Sequence, residues 1–156
     1  MRLEEEGIEV VMTREDENNI ADTDKSSIRE IKVSDINNRI EIANNSGADF
    51  LISIHMNKFP ESKYRGWQTF YSKQSEAGKK LAESIQAGIK ECVEIENSRE
   101  ALKIEGIKLV DKSALPAVVV ECGFLSNLEE KALLQTESYQ DKLVEGIYIG
   151  IQNYLK

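Results

Sequence analysis

The sequence predicts an α/β protein: one three-layer domain in which a mostly parallel, twisted sheet carries helices on both faces. Apolar segments of strand length alternate along the chain with segments whose apolar residues recur every three or four positions. Residues 117–120 show no polar alternation, which is typical of a parallel strand buried on both faces. Because no repeat, low-complexity tract or linker interrupts this pattern, we expect residues 1–156 to form a single domain.

The N-terminal third contains two predicted helices and one predicted strand. Residues 2–6 have the pattern of a helix end that the following glycine caps, and residues 8–12 have the pattern of a short strand. Residues 15–32 are polar and rich in Asp, Asn and Ser, which predicts a long exposed loop that could gate the site or face the substrate. A helix is then predicted from Ser34, as its N-cap, to residues 45–47. Its apolar face consists of Ile36, Ile40 and Ala43.

The rest of the chain continues the alternation of strands and helices. Strands are predicted at residues 50–55, 66–71 and 107–110, in addition to the buried strand described above. One helix is predicted to begin at Ser75, and a second covers residues 139–155. The apolar faces of these two helices, with residues four positions apart, are Leu81, Ile85, Ile89 and Val93, and Leu143, Ile147, Ile151 and Leu155.

Composition excludes several classes of protein. Apolar residues make up 40% and charged residues 31% of the chain, as in ordinary soluble globular proteins. A formal net charge of −8 argues against nucleic-acid binding, which needs a basic surface. No apolar run approaches the roughly 20 residues of a membrane span, and the charged opening segment is not a signal peptide. The two cysteines, Cys92 and Cys122, match neither a disulfide framework nor a metal-knuckle spacing.

Two polar residues stand where predicted strands end. His55, the only histidine, follows the apolar residues 50–54, and Glu121 follows residues 117–120. Each has a structural alternative, because a strand-end histidine is often part of the packing and a glutamate often caps a neighbouring helix. The carboxyl ends of parallel strands meet at one edge of a sheet, so we expect the two side chains within about 10 Å of each other. A glutamate beside a metal-bound water is suited to general-base catalysis.

Several segments resemble one enzyme family. Residues 53–57, Ser-Ile-His-Met-Asn, look like the SIHxN motif of the zinc-dependent N-acetylmuramoyl-L-alanine amidases, often called amidase type 3. Residues 116–127, followed by Glu130, closely resemble the PAxxxExGFxSNxxE segment of that family. The match runs in order from Gly7 to Leu155. Further similar positions are residues 13–16, Arg39, residues 43–44, residues 48–49, Gly66 and residues 69–71.

The resemblance implies a site and a substrate. In this family, zinc is held by two histidines and one glutamate, with one position open for water. His55 is thereby implied as a zinc ligand and Glu121 as the catalytic acid and base. Asn57 and Ser53 are candidates to orient His55 or the bound water, and Asn57 is also a candidate to bind substrate, although both could equally satisfy local backbone. Arg99 resembles a family position near the substrate groove, although it could be simply solvated.

The family acts on peptidoglycan, outside the cytoplasm in the cell wall or spore envelope. The resemblance therefore implies peptidoglycan as the substrate and an accessory protein as a second partner. The compact chain resembles members that act in sporulation or germination. No nucleic acid is expected as a partner, and no membrane span is expected in this chain.

The sequence departs from the family at its start. The family's first histidine, in a Gly-rich loop, and its ligating glutamate, at the start of the next helix, have no counterpart here. Residues 4–6 match the tail of that helix and not the ligand position. The chain therefore resembles a member that lacks its first strand and two of three zinc ligands. Two functions stay open: an amidase completed by residues upstream of Met1, or a non-catalytic binding or regulatory module that keeps the fold.

A few residues have predicted structural roles. Cys122 should point away from Glu121 into the core, because neighbouring residues of a strand face opposite sides. Asn127 is predicted to be a helix N-cap. Tyr64 and Trp67 either pack on a sugar or peptide stem, or cover an edge strand. A Ser or Cys hydrolase is disfavoured, since the chain has one histidine and no Gly-x-Ser-x-Gly turn.

Overall fold

The computed structural model describes residues 2–156, with side chains from residue 3 onward, and its centre is a four-stranded sheet. The strands are β1 Leu51–Asn57, β2 Gln68–Ser72, β3 Leu102–Ile104 and β4 Ala117–Phe124. Their order across the sheet is β1-β4-β2-β3. β1 pairs with β4, and β2 with β3, in parallel, whereas β2 runs antiparallel to β4. The mostly parallel α/β sheet that the sequence predicts is thus confirmed.

Helices cover both faces of this sheet. α3 and α6 share one apolar core with β4, α4 packs on the opposite face, and α2 contacts α4. In the part of the chain that the structure describes, no helix has both the length and the apolarity that spanning a bilayer requires. The six helices of the described residues are α1 Arg2–Glu5, α2 Ile28–Asn45, α3 Glu76–Cys92, α4 Lys108–Lys112, α5 Leu128–Leu134 and α6 Glu137–Leu155.

The uninterrupted apolar pattern of β4 follows from its central position. Val118 and Val120 are fully buried against α3 and α6, while Ala117 and Val119 are buried in the second core beneath α4. Both faces of the strand therefore need apolar side chains. The alternation predicts that Glu121 points toward the α4 face, and Cys122 is 2% exposed in the opposite core, as expected from the sequence. Burial raises the pKa of the Cys122 thiol to about 12, which suits an inert core residue.

The α3–α6 contact depends on glycines where the two backbones cross. A Cβ atom added to Gly88 would lie 2.3 Å from the carbonyl oxygen of Gly146 and 2.6 Å from the amide nitrogen of Gly150. Both neighbours are backbone atoms, so no side-chain rotation can relieve the overlap. The two helices must move apart to accept any larger residue, and this would open the larger of the two cores.

We expect Gly88→Ala to lower the free energy of unfolding by about 1–3 kcal/mol, the usual cost of overpacking a closely packed interior. Alanine is a better helix former than glycine by about 1 kcal/mol, so a net loss of stability can be assigned to the clash. Urea denaturation followed by circular dichroism measures the change. The control is Ala87→Ser on the exposed side of the same helix turn, which should change stability by less than about 0.5 kcal/mol. A Gly88→Ala protein as stable as the wild type would contradict the close crossing.

The predicted start of α2 was wrong, because the helix begins six residues before Ser34. Ser27 is the N-cap, and its hydroxyl accepts a hydrogen bond from the Glu30 amide at 3.2 Å while its own amide donates to the Glu30 carboxylate at 3.1 Å. This is a capping box, which the Ser-x-x-Glu pattern encodes. Ser34 is buried inside the helix, where its hydroxyl accepts from the Asp22 amide at 3.0 Å. The predicted loop is therefore shorter than expected and folds back along α2.

Two predicted strands are absent from the described residues. Residues 8–12 pair with no strand of the sheet, and Val11 and Met12 are 45% and 55% exposed, because apolar alternation makes a strand only where a neighbour supplies hydrogen bonds. Residues 107–110 instead enter the short helix α4, and the Asp111 carboxylate accepts a bond from the Gly106 amide at 2.7 Å. The strand in this region is β3, which precedes α4 and pairs with β2.

Candidate active site

The pairing of the strands places three polar residues in one row across the sheet. His55 on β1 stands opposite Glu121 on β4, and Gln68 on β2 stands opposite Glu121 from the other side. Paired strands lie about 4.8 Å apart, and directly opposed residues direct their side chains to the same face. The register therefore brings His55 and Glu121 together at the carboxyl ends of two parallel strands, as the sequence predicts. Gln68 was not foreseen, because no sequence pattern indicated an antiparallel β2.

Glu121 carries an unsatisfied carboxylate oxygen. Its Oε2 is buried and has no hydrogen-bond partner among the residues that the structure describes. Burial raises the pKa of this carboxyl above its usual value. Asn127 and not Glu121 caps the adjacent helix α5, since the Asn127 side chain accepts from the Glu130 amide at 3.0 Å. The helix-capping alternative for Glu121 is thereby disfavoured, and the predicted N-cap role of Asn127 is confirmed.

The surroundings of His55 lower the pKa of its imidazole. His55 lies on the edge strand β1 and is exposed on one side. The partial burial of the ring is the largest cause that lowers its pKa, and the positive charges of Arg39, Arg14 and Lys32 follow. Arg39 is fixed beside the site by two hydrogen bonds to the Asp35 carboxylate, of 2.8 and 3.1 Å. A neutral imidazole is the form that binds a metal ion. The environment of His55 is therefore compatible with a role as a metal ligand.

The described residues supply only part of a metal site. They contain no group of three His, Cys, Asp or Glu side chains close enough to hold a metal ion. A catalytic zinc site uses three protein ligands and one open position. His55 fits one such ligand, and the free oxygen of Glu121 fits a base beside it, but these two side chains do not complete the set.

Asn57 lies at the end of β1, just past an irregularity in the pairing with β4. Its side-chain oxygen accepts a hydrogen bond from the Lys58 amide at 2.8 Å, and its carbonyl accepts one from the Leu125 amide at 2.8 Å. The side-chain contact satisfies local backbone, which was one of the two alternatives for this residue, whereas the carbonyl contact joins the ends of β1 and β4. A role of Asn57 toward substrate stays a prediction.

Arg99 is fixed in place and extends the row of site residues. Its Nη1 donates to the Gln68 Oε1 atom at 3.0 Å, and its Nε donates to the Arg65 carbonyl at 3.2 Å. The guanidinium also lies 5.1 Å from the ring centroid of Phe124 and 6.0 Å from that of Tyr64. A freely solvated arginine is thus excluded, and Gln68 links Arg99 to the position opposite Glu121.

An aromatic cluster lies beside Arg99. Tyr64 is 5.4 Å from Phe59 and 6.0 Å from Phe124 between ring centroids, and Phe59 is 48% exposed. Trp67, by contrast, is 1% exposed within the main core, so the interpretation of Trp67 as a surface for sugar or peptide was wrong. The cluster of Phe59, Tyr64 and Phe124 with Arg99 is hereafter called the Arg99 wall, and Arg99 connects it to Gln68, which stands opposite Glu121.

Comparison with known proteins identifies the family and the fold of this chain. The model of the N-acetylmuramoyl-L-alanine amidase family matches residues 1–153. The germination-specific N-acetylmuramoyl-L-alanine amidase of Bacillus subtilis is 37% identical over 152 residues, which are 97% of this chain and 64% of the relative. This chain thus spans less than two thirds of that relative's length.

Solved structures show the same fold. The CwlD amidase of Clostridioides difficile, solved in complex with the GerS lipoprotein, superposes with a TM-score of 0.94 at 41% identity, over 99% of this chain and 79% of that one. The catalytic domain of CwlV, an N-acetylmuramoyl-L-alanine amidase from Bacillus (Paenibacillus) polymyxa, gives a TM-score of 0.81 at 26% identity, over 99% and 76% of the two chains. From its family match, its near relatives and its fold, this chain belongs to the N-acetylmuramoyl-L-alanine amidase family.

Proposed function

We propose that this chain carries the C-terminal part of the catalytic domain of a peptidoglycan amidase. The reaction is hydrolysis of the amide bond between N-acetylmuramic acid and the L-alanine of the peptide stem. The observation that supports it most directly is the placement of His55 opposite Glu121, with a buried, unpartnered oxygen on the glutamate. The match of residues 1–153 to the N-acetylmuramoyl-L-alanine amidase family supports this choice of scissile bond.

The cofactor in this proposal is one zinc ion. His55 is one ligand, and the other two are supplied by residues outside these 156, at positions upstream of Met1. When bound, the zinc polarises the scissile carbonyl and lowers the pKa of the attacking water. The surroundings of His55 lower the pKa of its imidazole, which favours the neutral form that binds a metal ion.

Glu121 moves the protons of the reaction. Its carboxylate accepts a proton from the attacking water as the new bond from oxygen to the lactyl carbonyl carbon of N-acetylmuramic acid forms. It then donates that proton to the alanine nitrogen as the carbon–nitrogen bond breaks. The products are a muramic acid carboxylate and a peptide with a free amino group. Burial raises the pKa of Glu121 above its usual value, and this shift is in the direction that suits a general acid and base, whose pKa should approach the working pH.

Arg99 and Asn57 are the proposed substrate-binding residues. A peptide stem that extends from the scissile bond carries carboxylates, and a guanidinium is suited to bind them. Arg99 is held on the β2 side of Glu121 by Gln68 and Arg65 and needs little reorganisation to receive such a group. Asn57 is the last residue of β1, two positions after His55 on the same strand.

The proposed setting is outside the cytoplasm, in the cell wall or spore envelope, with an accessory protein as partner. The Bacillus subtilis relative is named as germination-specific, and another relative there is named as sporulation-specific. The Clostridioides difficile amidase with the same fold was solved with a lipoprotein bound. These relatives support action on the spore peptidoglycan and recruitment by a second protein.

Digestion of purified peptidoglycan by the full-length protein tests the activity. We expect mass spectrometry to show stem peptides whose alanine has a free amino group, together with glycan strands that have lost their peptides. Zinc removal by a chelator should abolish the release, and added zinc should restore it. A non-catalytic binding module is the competing function, favoured by the lack of a three-ligand group among the described residues. That module would sediment with peptidoglycan but release no peptide.

A further inference from the structure

The segment between β1 and β2 is fastened to the junction of β4 and α5. The Phe59 amide donates to the Ser126 hydroxyl at 3.2 Å, and the Asn127 side chain donates to the Ser62 carbonyl at 3.0 Å. The third connection is made by Glu130, whose Oε1 accepts from the Gly66 amide at 2.7 Å. Residues 58–67, which include Tyr64 of the Arg99 wall, are thus held at the end of the strand that carries Glu121.

Glu130 is the one charged group in these three connections, and it is 3% exposed. Its second oxygen, Oε2, accepts from the Phe124 amide at 2.6 Å. A single carboxylate therefore joins the segment before β2 to the end of β4. Hydrogen bonds from amides to a buried charge are short and strong, and their loss leaves the amides without an acceptor.

The backbone that Glu130 holds also carries Arg99. The Arg65 carbonyl, adjacent to Gly66, accepts from Arg99 Nε at 3.2 Å. Asn97 continues the connection, since its side chain donates to the Trp67 carbonyl at 2.8 Å and accepts from the Arg99 amide at 3.1 Å. Phe124, whose backbone amide donates to Glu130, also contacts Arg99, since its ring centroid lies 5.1 Å from the guanidinium carbon. Both sides of the Arg99 wall are therefore anchored on one carboxylate.

The close fit around this carboxylate indicates little freedom. A Cβ atom at Gly123 would lie 2.8 Å from Glu130 Cδ, so the chain at this point approaches the carboxylate as closely as a glycine permits. The carboxylate cannot shift closer to Gly123, and its hydrogen bonds from the Phe124 amide of β4 and from the Gly66 amide fix its two oxygens.

We propose that Glu130 is a positioning residue of the active site, which sets the Arg99 wall at its distance from Glu121 by holding the Gly66 and Phe124 amides. The inference rests on the proposed function for the identity of the substrate, and on the hydrogen bonds alone for the positioning. The proposal gives Glu130 no contact with the reacting bond or the metal, because its two carboxylate oxygens accept from the Gly66 and Phe124 amides. Its effect is on where the peptide stem binds.

The test uses Glu130→Gln, which keeps the size of the side chain. Glutamine has one acceptor oxygen, whereas the Gly66 and Phe124 amides each donate to a separate oxygen of Glu130. In the full-length protein, we expect exchange of the Gly66 and Phe124 amides to accelerate about tenfold or more, and the Arg99 Nε–H resonance to shift or broaden. In the full-length enzyme, assayed well below its melting temperature, KM for muropeptides should rise about tenfold while kcat changes less than about threefold. Glu129→Gln is the matched control, because it makes the same charge change on an exposed neighbour.

The outcomes separate this inference from the proposed function. An unchanged Arg99 resonance and an unchanged KM in Glu130→Gln would overturn the positioning role even in an active enzyme. Wild-type protein without turnover would overturn the proposed function, while the amide exchange and the Arg99 resonance would still decide the positioning role. If Glu130→Gln does not fold, Gly123→Ala displaces the carboxylate without removing its charge and should shift the same resonance. A folded Gly123→Ala protein with wild-type Arg99 signals would count against the proposal.

Discussion

Glu121→Gln in the complete protein should lower the rate of peptidoglycan hydrolysis about 10²–10⁴-fold, the usual share of general acid–base catalysis. The amide keeps the size of the side chain but accepts no proton from water. Because Glu121 Oε2 has no partner among the described residues, the substitution breaks no hydrogen bond of that oxygen, and the melting temperature should stay close to that of the wild type. Zinc content should also stay unchanged, since in this proposal the glutamate is not a ligand.

Zinc content, melting temperature and turnover measured on one preparation distinguish three roles of Glu121. Zinc loss together with activity loss would make Glu121 a ligand. A stability loss of about 1 kcal/mol with full activity would make it a structural residue. Normal turnover at full zinc occupancy would eliminate the catalytic role. Glu129→Gln, on an exposed neighbouring helix turn, should leave all three measurements unchanged.

The position of His55 opposite Glu121 could be predicted from local sequence. The unbroken apolar run of residues 117–120 predicted a strand buried on both faces, which is β4. The apolar run that ends at His55 predicted β1. Parallel pairing then brings the residues at the two strand ends together without any knowledge of the loops. His55 opposite Glu121 follows directly from this register.

The residues missed by the sequence analysis depend on contacts between distant segments. Gln68 enters the row only because β2 runs antiparallel to β4, and neither strand shows this in its own pattern. Glu130 binds the Gly66 amide across 64 positions of sequence. The start of α2 was different, because the Ser27 and Glu30 pair of its capping box is a local signal that could have been found. The strand predicted at residues 8–12 was wrong although its local pattern was present, since no strand of the described residues pairs with it.

The second large expected effect is on zinc affinity, which depends on how many ligands the chain contains. The 156-residue chain should bind zinc at least about a thousandfold more weakly than a longer chain that includes the upstream ligands, because one imidazole replaces a set of three ligands. Isothermal titration calorimetry of both chains in the same buffer measures the difference. Amidase turnover should follow zinc occupancy and appear only in the longer chain.

His55→Ala in the longer chain is the control for where the zinc binds. If His55 is a ligand, this variant should lose most of the affinity and the activity while it keeps the helix content of the wild type, since His55 is exposed and lies outside both cores. Unchanged zinc affinity would move the metal site away from the row of His55, Glu121 and Gln68. Tight one-to-one zinc binding by the 156-residue chain, or turnover by it, would show that residues within this sequence complete the site. The proposal of upstream ligands would then be wrong, although the role of Glu121 as the base could still hold.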